Sequence, residues 1–414
     1  MRQAAAHEGV EPNCSDLGRN YPGNVFGHRR FKVLRVVWYL TRRGLRMKRK
    51  VFTVIMAGGR GTRFWPLSRP QRPKQMLKLL TSRSLVRETV DRVAPIYGRR
   101  NVLIVTVDDH DRAMRRELPM LTKANFLIEP FGKNTAPCIG LAAVELLTRD
   151  PEAIMAVLPA DHWISDTRRF SRTLTAAVHL AARNDALVTL GIRPEYPETG
   201  YGYILKGRRA ERGSYRVTGF VEKPPAEKAR RLIRRNALWN TGILVARVAT
   251  ILDALRRYAP GIARGLESIE AIARVRPLGA LPAKLRAALR REYKKMPNVS
   301  IDYAVMERAG SEGKVLTLEA DFGWSDVGNW DALHRMLPKE NAGNTGIGRR
   351  VAFRSQNCLI YSSERRLVAL VGMENTVVVD TPDAVLVADM RRSQEIKDLI
   401  DELNRRGYGK YTAR

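Results

Sequence analysis

Three glycines within four positions, Gly58, Gly59 and Gly61, follow the apolar run 51–56, and four cations stand beside them: Arg60, Arg63, Arg69 and Lys74. Glycines let a backbone come close to a ligand, and successive N–H groups in such a loop cradle phosphate oxygens. Fixed positive charge next to the cradle adds attraction for a polyanion, which a purely structural turn would not need. The letters exclude the two common phosphate loops. A Walker A loop closes on Gly-Lys-Ser/Thr, whereas Gly61 is followed by Thr62-Arg63, and a dinucleotide fingerprint requires a third glycine where Phe64 stands.

A loop of this kind must leave a buried strand. Residues 51–56 (VFTVIM), 102–107 (VLIVTV), 154–158 (IMAVL) and 186–190 (ALVTL) are continuous apolar runs bounded by turn residues. Such runs suit parallel strands buried on both faces. Between them, residues 84–93, 136–147 and 170–182 carry apolar side chains at helical spacing. The alternation predicts an open, mostly parallel α/β sheet with helices on both faces and a binding crevice at the carboxyl ends of its strands. After residue 341 the texture changes to short β-rich pieces at 350–353, 358–361, 367–371, 376–380 and 384–388, with no long helix until 393–406. That pattern predicts a small all-β appendage closed by a terminal helix, either a sandwich or coils of a β-solenoid.

Composition sets the outer bounds. With 414 residues, 44% hydrophobic and 7% aromatic, the chain is globular and of two-domain size. The net charge of +31 suggests polyanionic partners: nucleic acid, an anionic membrane surface or phosphorylated small molecules. More than half of the excess lies in two stretches, residues 1–50 with 12 basic and 3 acidic side chains and residues 256–295 with 11 and 3. The second reads as a solvated helical face; aromatics for base stacking are nearly absent there, Tyr258 and Tyr293 excepted, which argues against nucleic acid. Met47 opens MKRKVFTVIMAGG, which reads as a natural start. Residues 1–46 are therefore expected to be a misassigned start or a disordered basic extension, with a membrane-surface segment as the alternative. Cys14, Cys138 and Cys358 form no CxxC pair, so neither a disulfide framework nor a zinc site is expected, and a reducing cytoplasm is the default. No run of about 20 apolar residues exists to span a membrane.

Residues 58–75, GGRGTRFWPLSRPQRPKQ, resemble the signature of the sugar-1-phosphate nucleotidylyltransferases, specifically the bacterial mannose-1-phosphate guanylyltransferases. The resemblance continues in order through Glu129-Pro130 with KNTAP at 133–137, LPADH at 158–162, TGYGYI at 199–204, FVEKP at 220–224, WNTG at 239–242, SIDYAVME at 300–307 and FGWSDVG at 322–328. Two mild departures stand in it, KNTAPC where relatives commonly read RNTAPA and Thr241 where Ser is frequent.

The resemblance implies a Rossmann-like nucleotidyltransferase domain over residues 47–340 and a partial left-handed β-helix over 341–414 that takes part in a homodimer. A chain ending at Arg414 leaves no room for the cupin of longer relatives, so it implies a short, monofunctional transferase. The implied reaction joins mannose 1-phosphate to GTP, giving GDP-mannose and pyrophosphate. The sugar phosphate is itself the nucleophile there, so no Ser, Cys or His need serve. By the same resemblance Ala57, Gly58, Gly59, Gly61, Thr62, Arg63, Lys74, Asn134, Thr135 and Asp161 bind the nucleotide. Arg63 and the loop amides would hold the leaving pyrophosphate, and Lys74 the α-phosphate region. Gly200, Tyr201, Glu222, Lys223, Asn240, Thr241 and Asp326 are the implied sugar-phosphate residues. Asp161 and Asp326 would bind Mg²⁺, which prefers hard oxygen ligands and keeps waters and bridging phosphates.

Overall fold

The computed structural model describes residues 49–59, 61–363 and 366–413. The basic extension expected over residues 1–46 lies outside these described residues. Among them, no helix is long and apolar enough to cross a membrane.

The four apolar runs form strands close to their expected bounds: β1 (Val51–Met56), β2 (Val102–Val107), β4 (Ile154–Pro159) and β6 (Leu187–Ile192), with β3 (Phe126–Glu129) between the second and third. Strands β1 to β4 pair in parallel in the order β3-β2-β1-β4. The crossovers are helical: α1 (Leu85–Tyr97), capped by the Ser84 hydroxyl, and α2 (Thr135–Arg149), capped by Asn134. The Asp166 carboxylate caps α3 (Thr167–Arg183), which leads into β6. Helix α1 continues beyond the expected residue 93 and carries Pro95 in its last turn.

The rest of the sheet adds antiparallel pairings to this parallel frame. Strands β7 (Gly202–Arg209) and β8 (Ser214–Glu222) form an antiparallel hairpin. Strand β9 (Leu238–Arg247) runs antiparallel between β4 and β6, and β10 (Val315–Ala320) pairs parallel to β6 and antiparallel to β8. Hairpins need no crossover helix, so this half lacks the regular strand-helix alternation that the sequence pattern reads. The sheet order turns at β1, whose neighbours β2 and β4 both follow it in the chain. Ligands of open α/β sheets bind at the carboxyl ends beside such a switch point.

A two-stranded ribbon sits over that crevice: β5 (Trp163–Ile164) pairs antiparallel with β11 (Trp324–Ser325). Further along, α4 (Ala283–Lys295) packs Tyr293 into the core beside β3.

The carboxyl-terminal strands settle the choice between sandwich and solenoid. Strands β12 (Thr345–Ile347), β14 (Leu359–Tyr361) and β16 (Thr376–Asp380) stack in parallel, as do β13 (Arg350–Phe353) and β15 (Val368–Val371), while β17 (Val385–Asp389) closes the stack antiparallel to β16. Parallel stacking of successive short strands is the geometry of solenoid coils. A 3₁₀ turn at Met390–Glu395 and α5 (Ile396–Arg405) follow. The solenoid shares a core with the glycine-rich segment: Phe64, Trp65 and Leu67 pack with Trp330, Leu359, Val377, Val379 and Ile396.

Candidate active site at the carboxyl ends of the sheet

The loop leaving β1 is fixed from below. Ala57 N–H donates to Val105 O at 2.8 Å, and Ala57 O accepts from Gln75 Nε2 at 2.8 Å and from the Thr106 hydroxyl at 3.3 Å. Gly58 and Gly59 follow, and Arg60 lies outside the described residues. Gly61 has φ +62, and a Cβ there would lie 2.1 Å from Lys74 Cβ. Only glycine fits that position, both by backbone conformation and by contact. Thr62 and Arg63 enter a 3₁₀ turn directly after it.

Lys74 is 6% exposed, and its ammonium donates to Asp161 Oδ2 at 2.8 Å and to the backbone carbonyl of Asp326. Asp161 leaves β4 and is followed by β5, while Asp326 follows β11, so the ribbon pairing Ser325 with Trp163 ties the two aspartates' segments together. Burial raises the Asp161 carboxyl, but the Lys74 ammonium, His162 and the Lys74 hydrogen bond outweigh it, leaving it below the ordinary carboxylate range. Burial pushes His162 down to about 4, so it is neutral near pH 7, and its Nδ1 accepts from Trp324 Nε1 at 3.1 Å. Val327, next to Asp326, has φ +48, a rare conformation for a β-branched residue. Its fully buried side chain packs with Phe64 and Trp330 and offsets that strain.

Beside the aspartates lies a cavity of about 180 Å³ whose lining includes Gly200, Tyr201, Glu222, Asn240, Thr241 and Asp326. Six of the seven expected sugar-phosphate residues therefore meet in one cavity, and Thr135 reaches it too. The Tyr201 hydroxyl donates to Asp326 Oδ1 at 2.8 Å, and its ring stands edge-on to Trp239 and Trp324. Burial and the nearby Asp326 charge raise the Tyr201 hydroxyl, keeping it a donor. Lys223 lies outside the cavity lining; its mostly exposed ammonium sits 2.9 Å from Glu222 Oε1. Thr241 lines the cavity while its hydroxyl donates to Leu190 O at 2.8 Å, which braces β9 against β6.

Two further expectations need correction or narrowing. Arg69 is not a loop cation facing the crevice: it is 9% exposed, and its guanidinium pairs with Asp383 at 3.2 Å, fastening the loop to the solenoid. Asn134 uses its side-chain oxygen to cap α2 at 2.9 Å, and the Thr135 hydroxyl accepts from Ile301 N–H at 2.8 Å. Their side chains thus shape the crevice wall as well as bordering it.

Three further residues of the site stand in the quoted motifs but not among the implied site residues. Asp302 lines the cavity and accepts from Asn240 Nδ2 at 2.9 Å; burial and the Glu222 charge raise its carboxyl to about 6. Glu129 is 2% exposed at the end of β3, takes the Tyr293 hydroxyl at 2.6 Å, and has Oε1 3.3 Å from where a Gly58 Cβ would be. Gln75 anchors the loop start. Two signals marked Glu129 in the sequence: it closes an apolar run, and it opens the Glu129-Pro130 motif.

Among the described residues, no group of three or more His, Cys, Asp or Glu could hold a metal ion. Asp161 and Asp326 offer hard oxygen donors, engaged by Lys74 and by Tyr201 respectively, of the type that suits a hard divalent cation completed by water and substrate phosphate.

Residues 52–342 match the nucleotidyl transferase family model, and residues 348–403 match the MannoseP isomerase/GMP-like beta-helix domain. A mannose-1-phosphate guanylyltransferase of Klebsiella pneumoniae is 37% identical over 364 residues, covering 86% of this chain and 75% of that protein. One of Escherichia coli is 38% identical over 356 residues, covering 84% and 73%. Among solved structures, a Thermus thermophilus protein described as a mannose-1-phosphate geranyltransferase aligns with a TM-score of 0.77 at 35% identity, covering 86% of this chain and 99% of that one.

Proposed function

The chain belongs to the nucleotidyl transferase family, and from that premise we propose that it transfers GMP from GTP to mannose 1-phosphate, giving GDP-mannose and pyrophosphate. The observation that carries the reading is the buried Lys74 ammonium, held by Asp161 and the Asp326 carbonyl beside a cavity lined by hydroxyl, amide and carboxylate groups suited to a sugar.

In the reaction, an oxygen of the sugar phosphate attacks the α-phosphorus of GTP in line. A new P–O bond forms as the bond to the β-phosphate bridge breaks, and the electron pair leaves with pyrophosphate. The nucleophile is already ionised at neutral pH, so the protein's work is positioning and charge stabilisation. Gly58, Gly59, Gly61 and Thr62 present backbone amides to the triphosphate, and Arg63 neutralises the leaving pyrophosphate. Lys74 follows the α-phosphate as a compact charge. Glu222, Asn240 and Asp302 receive the sugar hydroxyls, and Lys223 exchanges its contact with Glu222 for the sugar phosphate. Asp161 and Asp326 would hold Mg²⁺, which supplies positive charge to the phosphate oxygens when bound.

Three further parts of the reading stand with it. Residues 47–340 form the catalytic domain and 341–414 the accessory one. Val351, Phe353 and Val371, each at least half exposed on neighbouring strands β13 and β15, support a homodimer formed through the solenoid. Dependence on GTP supports a cytoplasmic site of action. A matrix of the four ribonucleoside triphosphates against several sugar 1-phosphates, read by pyrophosphate release, tests the substrates: GTP with mannose 1-phosphate should give the highest kcat/KM, and a different best pair would replace this assignment.

A further inference from the structure

A second groove, of about 690 Å³, lies between α1 and α3; its lining includes Glu88, Asp91, Arg92, Arg168, Ser171 and Arg172. Arg92 is only 8% exposed, and its buried Nε has no hydrogen-bond partner. Its guanidinium lies 5.7 Å from the centre of the Phe170 ring, and no ion pair among the described residues includes it. Burial lowers its pKa to about 10, partly offset by the Glu88 charge, so it stays cationic at neutral pH. Arg168 and Arg172 stand one turn apart on α3, both exposed and both without a carboxylate partner among the described ion pairs. Like charges at that spacing repel.

The groove's two carboxylates are engaged at its edge. Glu88 accepts from the Thr81 hydroxyl at 2.6 Å, and Asp91 pairs with Arg83 and Arg87 at 2.8 and 2.9 Å. Three guanidiniums thus share a groove with one carboxylate, Glu88, that no cation pairs among the described residues, and one of the three is buried with an unused donor. Planar guanidinium donors match the oxygens of a phosphate group.

We propose that this groove is a second oxyanion site, separate from the substrate cavity, which binds a phosphate group between Arg92, Arg168 and Arg172 with the Ser171 hydroxyl as an added donor. The group is either inorganic phosphate or the terminal phosphate of a sugar monoester. The site lies close to the reacting centre: Phe170 meets Phe322 edge-to-face at 5.4 Å, Phe322 leads to the Trp324–Asp326 segment, and the charge of Arg92 reaches His162.

Isothermal titration of inorganic phosphate, and separately of glucose 6-phosphate, into the full chain tests this. The comparison is with the Arg168→Ala/Arg172→Ala double variant, whose changes are on the surface, and with Arg92→Gln. Wild type should show a phosphate-binding component with millimolar or tighter affinity that weakens by about tenfold or more in the double variant. If both ligands bind equally, bare phosphate is the recognised unit; tighter binding of the ester assigns the sugar as well. No binding to wild type at about 10 mM, or undiminished binding in the double variant, overturns the proposal. Pyrophosphate release by the double variant with GTP and mannose 1-phosphate is measured in parallel, so a loss of the substrate site is distinguishable from a loss of this groove.

Discussion

Lys74 and Asp161, 87 residues apart in the chain, meet at 2.8 Å at the carboxyl ends of β1 and β4. The contact joins the loop that would hold the triphosphate to the strand end that would hold its metal ion. Gly61 packs against Lys74 from one side, and the Asp326 carbonyl takes the same ammonium from another. The buried cation thus registers three segments of the site at once, and each can be perturbed separately.

Replacing the carboxylate of Asp161 tests the reacting centre. Asp161→Asn keeps an acceptor for Lys74 and removes the charge, so kcat/KM for pyrophosphate release should fall by about 10²-fold or more. Stability measured by urea denaturation should drop by less than about 2 kcal/mol, since Asp161 is one-third exposed. Near-normal turnover would remove Asp161 from the mechanism.

Gly61→Ala tests the loop. The substituted residue must adopt φ +62 and would place Cβ 2.1 Å from Lys74 Cβ. We expect a loss of about 1–3 kcal/mol in unfolding free energy together with a raised KM for GTP. A variant as stable and active as wild type would show that Lys74 is not held by this contact.

The pair of Arg69 and Asp383 tests whether the solenoid supports catalysis. A double-mutant cycle of Arg69→Ala and Asp383→Ala should give a coupling of about 0.5–2 kcal/mol in stability, with KM for GTP raised more than kcat is lowered. Additive effects would mean that the 3.2 Å contact between them carries no energy.

Glu129 gives a pH signature. Burial raises its carboxyl from the ordinary 4.5 to about 7, despite hydrogen bonds from Tyr293, Cys138 and the Lys133 backbone. A raised folded-state pKa contributes stability that is complete below about 4.5 and is lost as pH rises through about 7. The loss is about 3 kcal/mol at most. Glu129→Gln keeps an acceptor for the Tyr293 hydroxyl, so its denaturation midpoints at the two ends of that window should converge relative to wild type. An unchanged slope would mean that Glu129 is ionised in the folded protein.

The sequence was most legible where structure is local. Continuous apolar runs located β1 and β2 at their observed bounds, and the glycine and proline punctuation of residues 58–75 located the loop. Side-chain partnerships over long separations leave no periodicity to read. Arg69 looked like a phosphate-facing cation because its partner Asp383 lies 314 residues away. Tyr293 looked like an isolated aromatic in a basic stretch because Glu129 is 164 residues distant. The mixed half of the sheet was hidden for a related reason: β9 inserts between β4 and β6 although it follows both in the chain.

The most direct measurement is a ³¹P NMR time course of the purified protein with GTP, mannose 1-phosphate and Mg²⁺. The proposed function predicts loss of the triphosphate signals and equimolar growth of GDP-mannose and pyrophosphate, in wild type and not in Asp161→Asn. A folded wild-type protein that leaves GTP intact, or releases orthophosphate from it without forming a sugar nucleotide, would contradict it.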